Sequence, residues 1–446
     1  MIKTFKMLLF AILLATAAPA SANSFRLKTA KAVGDKLSIA INAGIQLTLT
    51  WSDGTVEETT STGELQTIVV KSETLTISST GDITSIYVAD NELTELNVNA
   101  ASPTLRRLYC ANNQLSSLNL GNCTALVSLD CQGNKISTLN IASTIVEDLN
   151  VADNNLSSHG LHGGSSVTSM VCANNKITSI NYLPDMAGLV SLFCQGNQIA
   201  AVNVTGCTNL QQVLASDNRL TTFDAKPLTQ LQQLWIGNNR LKTVNLSDNK
   251  VLVGLVVPDN ELTEILWNRD CRDTFKYFDF SNNGLFFNSF PVIYNTLQQK
   301  YTIDGAIGTQ KPFALLGNID VNTRSESLET YLYQNGWNTS TQLTLTLTDA
   351  NGTTLESGTD YSYANWRFRF LTAPWNQVVI KATSKSYPDV ELYSTPFSVI
   401  DPAGISLVTD TQTPQTVYNL QGRRVNPSSS LPKGIYIVDG KKVVVR

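Results

Sequence analysis

An asparagine returns along this chain at a nearly constant interval, always in the same frame of apolar residues. Leu108-Tyr109-Cys110-Ala111-Asn112-Asn113-Gln114-Leu115 is followed one period later by Leu129-Asp130-Cys131-Gln132-Gly133-Asn134-Lys135-Ile136. The recurring positions are Asn91, Asn113, Asn134, Asn154, Asn175, Asn197, Asn218, Asn239, Asn260 and Asn283, at intervals of 22, 21, 20, 21, 22, 21, 21, 21 and 23 residues. Ten copies in register constrain the fold more than any other feature. One copy cannot bury its own apolar row, so copies with this period must stack.

The frame is L-x-x-L-x-L-x-x-N-x-L, the leucine-rich-repeat pattern. In each copy Leu-x-Leu or Leu-x-Cys makes a short strand whose alternate side chains face inward. The asparagine ends the strand, and its amide can bond backbone groups of the turn and of the neighbouring coil that burial would otherwise leave unpaired. Strands stack roughly 4.8 Å apart, so the ten copies predict a sheet on the order of 45 Å long. A period near 21 residues leaves room for an extended or 3₁₀ return segment rather than a full α-helix. The expected fold is mainly β: a slender, gently curved leucine-rich-repeat solenoid of about ten short repeats with a β cap, then a β-sandwich and a small β tail domain.

The flanks divide the 446 residues further. Lys3 and Lys6, the apolar run Met7 to Ala18 and the small-residue site Ala20-Ser21-Ala22 read as a secretory signal peptide over 1–22, cleaved near Asn23. Residues 23–80 read as strands, Lys36 to Ile41, Ile45 to Trp51 and Leu75 to Ser78, with a hairpin turn at Asp53-Gly54. They are expected to cap the open end of a solenoid over 81–290. Phe275, Tyr277, Phe278, Phe280, Phe286, Phe287 and Phe290 suit a cap at the other end. Alternation in Gln342 to Leu347 and Val378 to Lys381 predicts antiparallel strands, and an immunoglobulin-sized β-sandwich over 291–400. Residues 401–415, with Pro402, Gly404 and Pro414, read as a linker before a unit at 416–446.

Charge and cysteines narrow the chemistry. Net charge is −4 and only 15% of residues are charged, so no basic field argues for nucleic acid. Cys110, Cys131, Cys172 and Cys194 share the second inward strand position; Cys123 and Cys207 share a slot before the strand, and Cys271 fits the same place in the last copy. The register favours free thiols in a repeating buried slot. Disulfides of Cys110 with Cys131 and of Cys172 with Cys194 are the alternative in an oxidising compartment. There is no C-x-x-C, and no metal or other cofactor is expected. His159 and His162 lie in a Gly-rich stretch that reads as a solvated loop, with metal binding the alternative.

The tail reads Val417-Tyr418-Asn419-Leu420-Gln421-Gly422-Arg423-Arg424-Val425, then Leu431-Pro432-Lys433-Gly434-Ile435-Tyr436-Ile437-Val438. It resembles the C-terminal sorting domains of secreted and cell-surface proteins of Bacteroidetes. That resemblance implies a small β-sandwich read by the type IX secretion machinery, with export across the outer membrane and frequent attachment there. The repeats and their cap, including Asn122-Cys123-Thr124-Ala125-Leu126, resemble leucine-rich surface proteins of the same bacteria. The likeness implies a secreted or outer-membrane surface address and adhesion to a host protein or to other bacteria.

Function is expected on the concave sheet. Alternation turns outward a central column containing Tyr87, Tyr109, Phe193, Leu214 and Trp235, with Arg107 in the column before it. Two clusters emerge, Tyr87-Arg107-Tyr109 and Phe193-Leu214-Trp235, of residue types that make binding hot spots. The blander reading is that they pack on one another. The expected partner of this monomer is an extracellular protein, or alternatively a glycan captured by the same aromatics. No nucleophile, metalloprotease or phosphate-loop motif argues for an enzyme. The Asp130/Asp148 pair could in principle serve glycoside hydrolysis but reads as a solvated acidic spot. Asp90, Asp153, Asp217 and Asp259 precede key asparagines and suggest turn-formers ahead of a calcium ladder.

Overall fold

The structure is a computed structural model. It describes residues 23–446 apart from 102, 182, 269–273, 288, 291–303, 316–318, 322–325, 329–342, 366, 386, 401–416, 426–433, 439–440 and 446. The signal segment 1–22, Cys271, the linker 401–415 and Leu431-Pro432-Lys433 of the second tail motif lie outside the described residues. The described residues form two compact units: one holds those up to Glu261 and within 265–280 and 304–305, the other those within 262–264, 281–302 and 306–446. No α-helix occurs among the described residues; one 3₁₀ turn spans Leu183–Asp185.

The first unit is a leucine-rich-repeat solenoid. Its parallel strands run from Ser85–Tyr87 through Arg107–Tyr109, Ser128–Asp130, Asp148–Asn150, Ser169–Val171, Ser191–Phe193, Gln212–Leu214, Gln233–Trp235 and Gly254–Val256 to Tyr277–Asp279, each pairing with the next coil in strict register. The middle residue of each strand, such as Leu108, Met170, Leu192, Leu234 or Leu255, is fully buried. Each such side chain contributes roughly 1.5–3 kcal/mol of burial, so the strict alternation fixes which face is wet. The return segments are extended, as so short a period requires. They form small parallel pairs: Leu139–Asn140 with Leu161–His162, Ser179–Ile180 with Ala201–Val202, and Thr243–Leu246 with Glu264–Trp267. His159 and His162 are exposed there.

The asparagine ladder closes every coil to its neighbour. Asn134 donates from Nδ2 to the carbonyls of Cys110, one coil back, and Cys131 (both 3.0 Å), and its Oδ1 accepts the Leu115 N–H at 2.9 Å. The same three-way pattern recurs at Asn175, which serves the carbonyls of Val151, Cys172 and Ala173 and the N–H of Leu156. At the first copy there is no coil behind, and the cap supplies one. Asn91 accepts the Ser38 N–H and donates to the Ser38 carbonyl. Strand Lys36–Ile41 pairs antiparallel with Ser85–Tyr87, while Ser24–Thr29 pairs with Leu93–Asn97. The cap thereby covers the backbone of both the sheet and the return ladder. Its own core holds Phe25, Leu49, Trp51 and Ile77.

The residue before each ladder asparagine has positive φ: Asp90, Asn112, Gly133, Asp153, Asn174, Gly196, Asp217, Asn238, Asp259 and Asn282. Only Gly, Asn and Asp take that conformation readily, which explains the composition of the column. The side chains also interlock. Asp153 accepts from Asn174 at 2.9 Å and Asp217 from Asn238 at 2.7 Å. A Cβ at Gly196 would lie 2.1 Å from the Asn174 Oδ1, so glycine must follow asparagine there. Asp90, Asp153, Asp217 and Asp259 are turn-formers at positive φ, and Asp153 and Asp217 are in addition held by amide partners.

Among the described residues six cysteines are buried and free: Cys110, Cys123, Cys131, Cys172, Cys194 and Cys207. Burial pushes the thiols of Cys131 and Cys194 up to about 12 and that of Cys123 up to about 11. They pack as small hydrophobes and carry almost no thiolate at neutral pH.

The second unit holds Leu262–Glu264 and resumes at Ser281. Leu262 N–H donates to Asn283 Oδ1 at 3.1 Å, and Leu285 N–H to Gln310 Oε1 at 3.0 Å. Gln310 therefore serves as one more rung, after a longer interval than any asparagine pair shows. Phe287 stacks on Tyr387 with centroids 5.9 Å apart, and Phe290 meets the same ring edge-on at 5.4 Å. Two sheets follow. One orders Ile319–Asp320, Phe397–Ile400, Trp375–Ser384 and Leu343–Thr348, with Tyr387–Tyr393 also on Trp375–Ser384; the other orders Glu326–Ser327, Arg367–Phe370 and Tyr361–Ala364. Phe370 of the second packs on Phe397 of the first at 5.8 Å, giving a shared sandwich core. The tail is a four-stranded antiparallel sheet, ordered Arg424–Val425, Val417–Asn419, Gly434–Val438, Lys441–Val445. Its Tyr-Asn-Leu-Gln-Gly-Arg phrase is a hairpin loop: Asn419 Oδ1 accepts the N–H groups of Gln421 and Arg423, and Gly422 supplies φ 75°.

Candidate recognition surface

The open face of the parallel sheet displays two columns of side chains. Strict register sets Tyr87, Tyr109, Asp130, Asn150, Val171, Phe193, Leu214, Trp235, Val256 and Asp279 side by side, and beside them Ser85, Arg107, Ser128, Asp148, Ser169, Ser191, Gln212, Gln233, Gly254 and Tyr277. The flanking third column is mostly small, with Ala89, Ala111, Ala152, Ala173, Ser216 and Gly237, interrupted by Gln132, Gln195 and Pro258.

Both sequence-derived clusters form on adjacent strands. Tyr87 and Tyr109 lie with centroids 6.2 Å apart and tilted by 45°, each half-buried, and Arg107 is exposed beside them. Phe193, Leu214 and Trp235 stand on three successive strands; the first two are half-buried and Trp235 is 38% exposed. The rings are thus not free in solvent. Tyr87 and Tyr109 shelter one another, as the blander reading of that cluster has it.

Sequence reasoning set Tyr277 both among the aromatics of a terminal cap and in the outward column after Gly254; its ring joins the Trp235 cluster. The centroids are 6.5 Å apart and the planes meet at 88°. The cause is Gly254. A Cβ there would lie 2.0 Å from the Tyr277 ring, so the tyrosine lies across the space that glycine leaves open. The signal in the sequence was the lone glycine in a column of Ser, Asp and Gln. Trp235 and Tyr277 form a right-angled aromatic corner, flanked by the half-buried amides of Gln212 and Gln233. One column over, Gln195 Oε1 is sheltered and has no hydrogen-bond partner among the described residues.

The Asp130 and Asp148 pair sits toward the other end. Burial raises the Asp130 carboxyl above the usual range, opposed by the Gln132 N–H at 3.1 Å and by Asn150. Asp148 is exposed, and neither lines a described cavity. Among the described residues no group of three or more His, Cys, Asp or Glu side chains is placed to hold a metal ion.

A family model described as leucine-rich repeats, two copies, matches residues 103–143. No curated protein matches the sequence. Among solved structures, the functional domain of InlJ from Listeria monocytogenes, which includes a cysteine ladder, is 16% identical and aligns over 73% of this chain and 93% of that one, with a TM-score of 0.36. YopM, a leucine-rich effector protein from Yersinia pestis, is 18% identical over 52% of this chain and 68% of that one, with a TM-score of 0.40. The internalin InlF of Listeria monocytogenes is 18% identical over 52% and 88%, with a TM-score of 0.32.

Proposed function

We propose that this chain is an extracellular recognition protein whose solenoid sheet binds a macromolecular partner, a protein, at the corner made by Trp235 and Tyr277. Leucine-rich-repeat solenoids present extended, rigid surfaces suited to protein interaction. The observation that carries the reading is a large, partly exposed aromatic held on a rigid sheet. Trp235 is 38% exposed while its strand neighbour Leu234 is fully buried. A pre-ordered aromatic loses little entropy on binding and desolvates a large area. The right-angled rings and neighbouring glutamines also suit a sugar, which makes a glycan the second reading. Screening the mature chain in parallel on arrays of extracellular proteins and of glycans separates the two. Hits on the protein array alone support the first; hits confined to the glycan array replace it with the second.

The address belongs to the same proposal. The basic, apolar and small-residue segments of residues 1–22 support export, and the tail's two motifs support sorting to the cell surface. Deleting residues 416–446 is expected to leave a folded chain that binds its partner but is no longer displayed. Normal surface display of the truncated chain, read by protease accessibility on intact cells, would refute the sorting role.

A further inference from the structure

The N-terminal cap contains a cleft of about 240 Å³ that neither the ladder nor the sheet-face corner uses. Ile39, Leu47, Leu49 and Ile77 floor it, all buried. Its walls are Val56–Thr60 and Gln66–Val69, each the outermost strand of its own sheet. Antiparallel pairs alternate between bonded and non-bonded. The Ser61 N–H donates to the Ile45 carbonyl and the Trp51 N–H to the Thr55 carbonyl, and Glu57 stands opposite Leu49 in the same register. The backbone N–H and C=O of Val56 and Glu58 therefore point away from the sheet. On the other wall the Val70 N–H donates to the Asp35 carbonyl, so the same parity turns Thr67 and Val69 outward.

Edges of this kind are normally blunted by charged side chains, above all lysine, by proline or by a bulge; here the charges are Glu57 and Glu58 alone. These two strands carry no Lys or Pro, and they expose apolar side chains: Val56 is 58% and Val69 40% exposed, with Leu65 between them at 59%. Two exposed contacts span the mouth, Lys71 to Glu57 at 3.6 Å and Gln66 Nε2 to the Thr60 carbonyl at 3.3 Å. Glu57, Glu58 and Glu64 against Lys71 leave the rim acidic.

We propose that this cleft receives an extended segment of a partner protein, added as a strand to the Val56–Thr60 edge, with aliphatic and basic residues in alternation. The free backbone groups of Val56 and Glu58 supply the main-chain hydrogen bonds of strand addition. The two-residue period of a strand sends alternate side chains inward onto the apolar floor and the others outward beside Glu58. Aliphatic residues fit the first set, and Lys or Arg the second.

The test uses the mature full-length chain and two short synthetic peptides of one composition. In one, valine and lysine alternate; in the other they form two blocks. The alternating peptide is expected to bind and the blocked one to bind at least roughly tenfold more weakly, by fluorescence anisotropy. Glu58→Pro removes an N–H that serves no strand, and proline is tolerated on an edge. It is expected to unfold like the parent while losing the peptide. Glu58→Lys, an exposed charge reversal, gives a second variant expected to weaken binding, and Trp235→Ala is expected to leave it unchanged. Equal affinity for both peptides, no affinity for either, or full binding by both Glu58 variants overturns the proposal. None of these outcomes bears on the sheet-face reading.

Discussion

Replacing Asn175 with leucine is expected to cost the solenoid about 3–5 kcal/mol through one unpaired N–H and three lost hydrogen bonds, although the side chain is buried away from the sheet face. The substitution strands the Leu156 N–H and takes one of two donors from each of the carbonyls of Val151, Cys172 and Ala173, which keep Asn154, Asn197 and the Asp153 N–H. A buried group left unpaired costs roughly 1–3 kcal/mol. Asn175→Asp makes the sharper comparison. It keeps the shape and the acceptor for Leu156, yet turns an oxygen toward those carbonyls. It is expected to be at least as damaging as leucine, which a packing explanation does not predict. Urea titration gives the loss, and amide exchange at Leu156 places it in the two coils that Asn175 joins. Retention of parental stability by Asn175→Asp would show that the amide donors contribute little.

The second large effect is a cavity. Leu234 is fully buried at the centre of Gln233–Trp235, so Leu234→Ala is expected to lose about 2–5 kcal/mol. Trp235→Ala, one residue on and facing out, removes a larger side chain and is expected to lose only about 1 kcal/mol, mostly its edge contact with Tyr277. Denaturation of the two variants side by side measures the difference between the inner and outer faces. Equal losses would mean that the outer column is structural.

The fold was legible because repetition multiplies a weak local signal. Leu-x-Cys alone does not specify a strand, but ten copies in register specify a stacked sheet, and the 21-residue interval excludes a helical return. The face of each side chain followed from strand alternation, which placed Leu234 inward and Trp235 outward. What the sequence left hidden depends on reach across coils. Tyr277 joins Trp235 only because Gly254, on the strand between, leaves the space open, and no periodicity encodes that absence. Gln310 was missed because it serves the same purpose as the asparagines with a different residue at a different interval. The Asp153–Asn174 and Asp217–Asn238 bonds likewise needed coordinates, since sequence alone shows the aspartates as a broken row.

The central claim is that the Trp235 corner is where a partner binds. The decisive measurement is the affinity of Trp235→Ala for a partner identified on the arrays, taken alongside its unfolding midpoint. A hot-spot aromatic is expected to cost roughly 2 kcal/mol or more of binding, about thirtyfold in affinity, with the fold nearly intact. Parental affinity in a variant that unfolds like the parent would place the binding surface elsewhere.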